Sequence, residues 1–262
     1  MKAPGHVNRS PLQRAAIIVA VVVQIGSTFL PQLGYGEPIG NRSDAIRTLI
    51  TPSGWAFAIW GPLFLGSAVF AIWQALPGQR HNALIDKIAW PAAVALAAQG
   101  VWAIYTQFEN LTAISVVIIV TSLIGLLMVL RALCQVPALR TSDRWVIGLT
   151  FGALAAWLTA ASIVNVSAAL AYYGVGGGFA YPLAAAAMVA TGGIIAALAT
   201  VRSRGCPWYA LVFVWAVVAI YFRGGQQAGS VAAACVFAAV VVTLGAIAGL
   251  ANPDNRRHWI GI

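Results

Sequence analysis

The sequence predicts an all-α integral membrane protein, a bundle of about eight transmembrane helices with both termini on the cytoplasmic side. Three observations lead there. Of the 262 residues, 61% are hydrophobic and only 8% charged, too few charges to cover a water-soluble domain of this size. The apolar residues fall into eight runs, each close to the ~20 residues a helix needs to cross a bilayer. The basic residues lie in the connectors between runs, and their distribution is one-sided.

In chain order, a basic tail over residues 1–14 carries Lys2, Arg9 and Arg14 into the first run at about 15–33. That run has membrane length and no small-x-small cleavage motif after it, so a retained helix is expected rather than a signal peptide. Residues 34–54 form the one connector long enough to be more than a turn. The second run, about 55–76, opens in the stretch "TPSGWAFAIWGPLF" (51–64). Pro52 stops any upstream helix, Gly54 lets the chain turn, and Trp55 suits a membrane interface. Trp60, five residues on, lies about 140° further round the helix and faces elsewhere, while Gly61 and Pro62 permit a kink.

The third and fourth runs, about 90–107 and 111–133, follow the breaker "PGQRHN" (77–82). "QVPALRTSD" (135–143) precedes the fifth run at 146–172, and "YYGVGGG" (172–178) the sixth at 179–201. "RSRGCP" (202–207) introduces the short seventh run, 207–222, and "RGGQQ" (223–227) the eighth, 228–250. Residues 251–262 form a second cytoplasmic tail. The ten-residue polar and apolar alternation of an outer-membrane barrel is absent.

With the N-terminus inside, the inner connectors and tails hold Lys2, Arg9, Arg14, Arg80, Lys87, Arg131, Arg140, Arg144, Arg202, Arg204, Arg256 and Arg257. The outer side holds only Arg42, Arg47 and Arg223. Adding or removing one helix would scramble this asymmetry, which supports eight spans with both termini inside; the Ala, Val and Gly bias leads us to expect a bacterial plasma membrane. The net charge of +9 therefore reports topology; no basic face forms, and no nucleic-acid partner is expected.

Several functions lack the residues their chemistry needs. No Asp, Glu, Lys, Arg or His falls in the central part of a run, where proton pumps and ion-coupled carriers keep such groups. The only lysines, Lys2 and Lys87, lie outside the runs, so a retinal Schiff base has no partner; His6, His81 and His258 lie in cytoplasmic segments, so histidine-ligated haem is not expected. There is no Walker loop, no nucleophile with a positioned base and no metal-ligand cluster, so neither catalytic nor metal residues are assigned and no enzyme is expected. Cys134, Cys206 and Cys235 are widely spaced and read as reduced structural thiols.

At 1.5 Å per residue, the second run places Trp55, Phe57 and Trp60 in its outer third. The third run brings Trp102, Tyr105 and Gln107 to the same depth with Gln99 below, and the fifth brings Trp157, Ser162 and Asn165 towards it. An aromatic belt accounts for Trp55, Tyr172, Tyr173 and Trp208. Asn165, Gln99 and Gln107 need partners inside hydrocarbon, and helix-to-helix hydrogen bonding or a ligand site would each supply them. The hollow so outlined is aromatic-walled and nearly uncharged, with Arg42, Arg47 and Arg223 at its rim. It would suit a flat apolar molecule with carboxylates at one edge, unless those arginines pair locally with Glu37, Asp44 and Glu109.

These residues resemble the tryptophan-rich sensory protein (TspO/MBR) family, also called the translocator protein family. Its P-x-G-W-x-F-x-x-x-W run corresponds here to Pro52, Gly54, Trp55, Phe57 and Trp60, with one residue fewer before the second tryptophan and Phe64 at the family's tyrosine position. The family's A-W-L-x-x-A-[ST]-x-x-N run reads "AWLTAASIVN", from Ala156 and Trp157 through Ser162 to Asn165. In the third run Gln99 fits, while the usual asparagine four residues on is Ala103. The motifs cover about residues 12–172. The resemblance implies a TspO-like five-helix domain over 15–172, its pocket beneath loop 34–54, followed by three additional helices over 173–250. It also implies binding of porphyrin, haem or sterol-like ligands and assembly as a homodimer.

The expectation is thus a membrane-embedded sensor, carrier or store for a tetrapyrrole or similar planar hydrophobic ligand, held without histidine ligation and bathed by membrane lipids. A structural or assembly subunit is the alternative, since "LAAAAMVATGGIIAALA" (183–199) and "AGSVAAACVFAAVVV" (228–242) allow close helix approach to a membrane-complex partner. A transporter of an uncharged substrate is a third reading, without an inverted repeat to favour it.

Overall fold

The computed structural model describes residues 8–175 and 181–262 and, among them, contains helices and no strand. Eight helical segments are long and apolar enough to cross a membrane, so the chain is an integral membrane bundle of the expected class. The spans are built on α1 (Pro11–Gly26), α3 (Trp60–Ala75), α4 (Ala83–Phe108), α5 (Ala113–Cys134), α6 (Leu149–Tyr172), α7 (Pro182–Arg202), α8 (Pro207–Ile220) and α9 (Gly229–Ala251). Two short helices lie outside them: α2 (Ile39–Ala45) in the long connector and α10 (Pro253–Trp259) after the last span. The first residues of the expected sixth run, the glycines from 176 onward, Lys2 and His6 lie outside the described residues.

Several boundaries move for local reasons. The first span begins at Pro11 rather than 15, because Ser10 accepts from Leu12 N while the Gln13 side chain accepts from Ser10 N, a reciprocal capping box. The third begins at Ala83 rather than 90. Asn82 Oδ1 accepts from the Leu84 and Ile85 amides, and Asp86 sits in the first turn, where a carboxylate favours the helix dipole. The short seventh span is completed by a π-helical turn, Tyr221–Gly225, so that it runs to Gly225.

α6 is the axle of the bundle. In its most apolar stretch 78% of residues are buried within the protein, against 28% in each of the first two spans, whose apolar surfaces face lipid. α6 packs against α3, α5, α7 and α8, while α4 packs on α1 and α5. One apolar core runs through all eight spans. Phe151 of α6 meets Phe70 of α3 edge-on at 4.8 Å between ring centroids, and Thr159 of α6 shares a 2.8 Å hydrogen bond with the Tyr209 hydroxyl of α8. The small-residue runs of α7 and α9 close largely on each other, burying Gly192, Gly193 and Ala196 on one side and Ala234, Cys235 and Ala238 on the other.

The long connector folds over one end of the bundle, the loop end; the start of α1 and α10 lie at the other, the termini end. Arg42 donates to the Gln107 and Phe108 carbonyls at 3.1 and 3.3 Å, and Glu37 N donates to Gln107 O at 2.9 Å, tying the connector to α4. On its far side Ser53 donates to Ala219 O through both its amide and its hydroxyl, at 3.0 Å each, and Trp215 Nε1 donates to Ala56 O at 3.2 Å. Gly224 passes so close to Leu49 that any β-carbon would lie 1.6 Å from the Leu49 carbonyl oxygen. The C-terminal helices therefore clamp the connector in place.

Candidate functional site

Beneath the clamped connector lies a cavity of about 470 Å³, within the ~300–1,000 Å³ range of small-molecule sites. Its aromatic wall is Phe57, Trp60 and Phe64 from the second span and Trp102 from α4. Trp60 stacks on Phe64 with centroids 5.0 Å apart and planes 26° from parallel. Trp157 braces this wall from behind, meeting Trp60 and Phe57 edge-on at 6.1 Å each. Gln24, Gln99 and Gln107 supply amides, and Pro38, Ile39, Gly40 and Ser43 from the connector form the roof.

The amides are held by one another and by backbone carbonyls. Gln99 Nε2 donates to Ala95 O at 3.3 Å, and Gln24 Nε2 donates to Gln99 Oε1 at 2.7 Å. Gln107 Nε2 donates to both Ser27 O and Ala103 O, at 3.0 and 2.9 Å. These bonds join α1 to α4 and hold that face of the cavity rigid.

The expected site residues divide into three groups. Phe57, Trp60, Gln99, Trp102 and Arg223 line the cavity. Trp157 and Asn165 line a smaller void of about 60 Å³ directly behind it, and Phe57 and Trp102 form the partition. Asn165 is engaged between helices: Trp102 Nε1 donates to its Oδ1 at 3.3 Å, and its Nδ2 donates to Ser115 Oγ at 2.9 Å, joining α4, α5 and α6. Helix-to-helix bonding thus accounts for Asn165, and the bond also sets the tilt of a cavity-wall indole. Trp60, Trp102 and Asn165 do not share one hollow, a correction to the sequence expectation.

Trp55, Tyr105 and Ser162 line neither space. Trp55 is 45% exposed and rests edge-on against Trp215 of α8 at 4.8 Å, consistent with an interface anchor. The Tyr105 hydroxyl shares a 2.8 Å bond with Thr112 Oγ1, tying α4 to the start of α5. Ser162 is buried inside α6.

The rim arginines are paired locally. Arg223 donates to Asp44 Oδ1 at 2.7 Å and to Pro52 O at 2.8 Å, and Arg47 donates to Asp44 Oδ1 at 3.2 Å. The Arg223 hydrogen bond, with the charge of both guanidiniums, holds the Asp44 carboxyl below its ordinary pKa. Arg42 and Arg47 do not line the cavity. The expected free cationic edge is therefore an ion-paired strap between the π-helical turn after α8 and the roof. Among the described residues no cluster of His, Cys, Asp and Glu fits a metal ion, and the cavity is lined by no histidine.

Gln24, Thr28, Phe64 and the roof residues were not singled out as site residues from sequence. Gln24 carried the needed signal, an amide within an apolar run like Gln99. The roof had none, because its position depends on tertiary contacts at Gln107 and Gly224.

A roofed, aromatic-walled and amide-dotted cavity inside a helical bundle defines a membrane protein of the ligand-binding or transport class. The comparison with protein families agrees: a family model described as TSPO-like protein matches residues 12–248. The chain belongs to the TSPO-like family. The match runs well beyond residue 172, where the sequence motifs end, so the similarity includes the helices that clamp the roof. No curated protein and no solved structure matches the chain.

Proposed function

We propose that this protein binds a flat, hydrophobic small molecule of the tetrapyrrole class in the loop-end cavity, as a sensor, carrier or store. The observation that carries the reading is the aromatic lining, Trp60 stacked on Phe64 from the second span and Trp102 from α4, around about 470 Å³ with no histidine in the lining. Binding would rest on stacking and apolar burial, with Gln24, Gln99 and Gln107 orienting polar edges. No reaction is assigned, since the lining offers no nucleophile with a positioned base. The basic residues of the termini end, from Arg9 to Arg257, favour a cytoplasmic placement of that end in a bacterial plasma membrane.

The test is a titration of protoporphyrin IX into the protein in lipid nanodiscs, followed by quenching of tryptophan fluorescence. Saturable quenching is expected, weakened about tenfold in Trp60→Ala, which corresponds to ~1.4 kcal/mol. Trp55→Ala is expected to leave the affinity unchanged. Equal affinity in wild type and Trp60→Ala would move the ligand out of this cavity.

A further inference from the structure

A second concavity lies at the termini end, on the opposite side of the bilayer from the roofed cavity. α5 packs on α4 and α6, and α7 packs on α9 and α6. Between them runs an open groove of about 700 Å³, walled by Leu127 and Leu130 of α5 and by Ile195 and Leu198 of α7. From Leu127 to Cys134 this wall rises about 10 Å, most of the ~15 Å that one leaflet contributes to the apolar core of a bilayer. Its mouth carries Arg131 in the last turn of α5 and Arg202 in the last turn of α7. Both are exposed, and among the described residues neither forms an ion pair or a hydrogen bond to a side chain. Lys87 adds a third cation beside the mouth, donating to Gln135 Oε1 at 2.5 Å.

We infer that this groove binds one anionic phospholipid, an acyl chain along the leucine and isoleucine walls and the phosphate between Arg131 and Arg202. Apolar walls at acyl depth exclude water and demand hydrocarbon. Two unpartnered guanidiniums at headgroup depth supply a site for a phosphate, which they grip by charge-assisted hydrogen bonds. The acidic residues of this end are engaged or placed elsewhere: Asp254 pairs with Arg257 on α10, Asp143 is buried at the start of the fifth span, and Asp86 lies in the first turn of α4. The charge of the mouth is therefore left for a ligand. Cys134, half-buried, lines the same groove, while Cys206 and Cys235 are buried; occupancy of the groove would shield that one thiol.

The experiment uses the full chain, delipidated in a neutral detergent and titrated with dioleoylphosphatidylglycerol or dioleoylphosphatidylcholine. Bound lipid is counted by native mass spectrometry, and Cys134 is followed by its rate of alkylation with N-ethylmaleimide. Phosphatidylglycerol is expected to bind roughly ten- to thirtyfold more tightly than phosphatidylcholine and to slow Cys134 alkylation, and sn-glycerol 3-phosphate, a headgroup without chains, to do neither. Arg131→Gln/Arg202→Gln should bring the two lipids to within about twofold, while Arg256→Gln/Arg257→Gln, exposed at the same end, should keep the preference. All four side chains are exposed, so each variant folds. Equal binding of the two lipids, equal loss in both double variants, or unaltered Cys134 labelling at saturation would overturn the site.

Discussion

The two ends of the bundle use the same materials, tryptophan, arginine and backbone carbonyls, to opposite effect. At the termini end Trp259 is fully buried, donates to Ser203 O at 2.9 Å and presses on Gly148. Arg144 fastens the last turn beside it, donating to the His258, Arg257 and Leu139 carbonyls. At the loop end Arg223 likewise reaches a backbone carbonyl, that of Pro52, but Trp60 and Trp102 wall a space instead of filling one. The difference lies in what closes each end. A terminal helix inserts its largest side chain into the bundle, whereas the connector over the cavity presents Pro38, Ile39, Gly40 and Ser43 and leaves a space beneath them. An aromatic residue near a membrane surface thus becomes a plug or a wall according to the segment that covers it.

The sharpest way to break this comparison is to empty the filled end. Trp259→Ala removes a fully buried indole and should cost about 3–5 kcal/mol, read as a large fall in thermal melting temperature in detergent, with protoporphyrin affinity preserved. Second, Gly224→Val should displace the roof, since its β-carbon has no room beside the Leu49 carbonyl. Protoporphyrin affinity is expected to fall about tenfold or more, ~1.4 kcal/mol or above, with a smaller change in melting temperature than Trp259→Ala.

A third, pH-dependent effect distinguishes the ends. Burial, helped by the nearby Arg204 charge, pushes the His258 pKa down to about 4. The unfolded chain takes up the proton near ~6.5, and the folded chain only near 4. Stability from α10 docking is therefore full above that window and is lost as pH falls from about 6.5 to about 4. Melting temperature measured against pH should decline across this range, and His258→Phe should flatten the decline. The smallest effect belongs to the strap over the cavity. Asp44 has a lowered pKa, so its contribution is present above the ordinary aspartate value and disappears as pH falls through the lowered one. The Asp44 side chain is half-exposed, so Asp44→Asn should cost only about 0.2–1 kcal/mol, seen as a faster ligand off-rate.

Much of the fold was legible in the sequence because hydrocarbon leaves a chain few choices. Run length gave the eight spans. Caps moved the boundaries: Ser10 and Asn82 draw their helices several residues outward into sequence that reads as connector. At the cavity, Trp60, Trp102 and Gln99 were accessible because a large or amide side chain inside an apolar run must either pack against another helix or face a space within the bundle. Trp55 and Ser162 do not line the cavity, because residue type and depth do not fix the direction in which a helix face points. Trp55 lies five residues from Trp60 and turns to α8. Asn165 was found for the right chemical reason, an amide in need of partners, but its partners are Trp102 and Ser115. The roof and its clamp were not legible, since the approach of Gly224 to Leu49 joins residues distant in sequence.

Whether the roofed cavity holds the planar ligand proposed for it is the central question, and a structure of the protein with protoporphyrin IX bound tests it most directly. The macrocycle is expected between Trp60 and Trp102, under residues 38–44, with no axial side chain. A macrocycle seated on the lipid-facing surface or in the α5–α7 groove, with the roofed cavity empty, would contradict it.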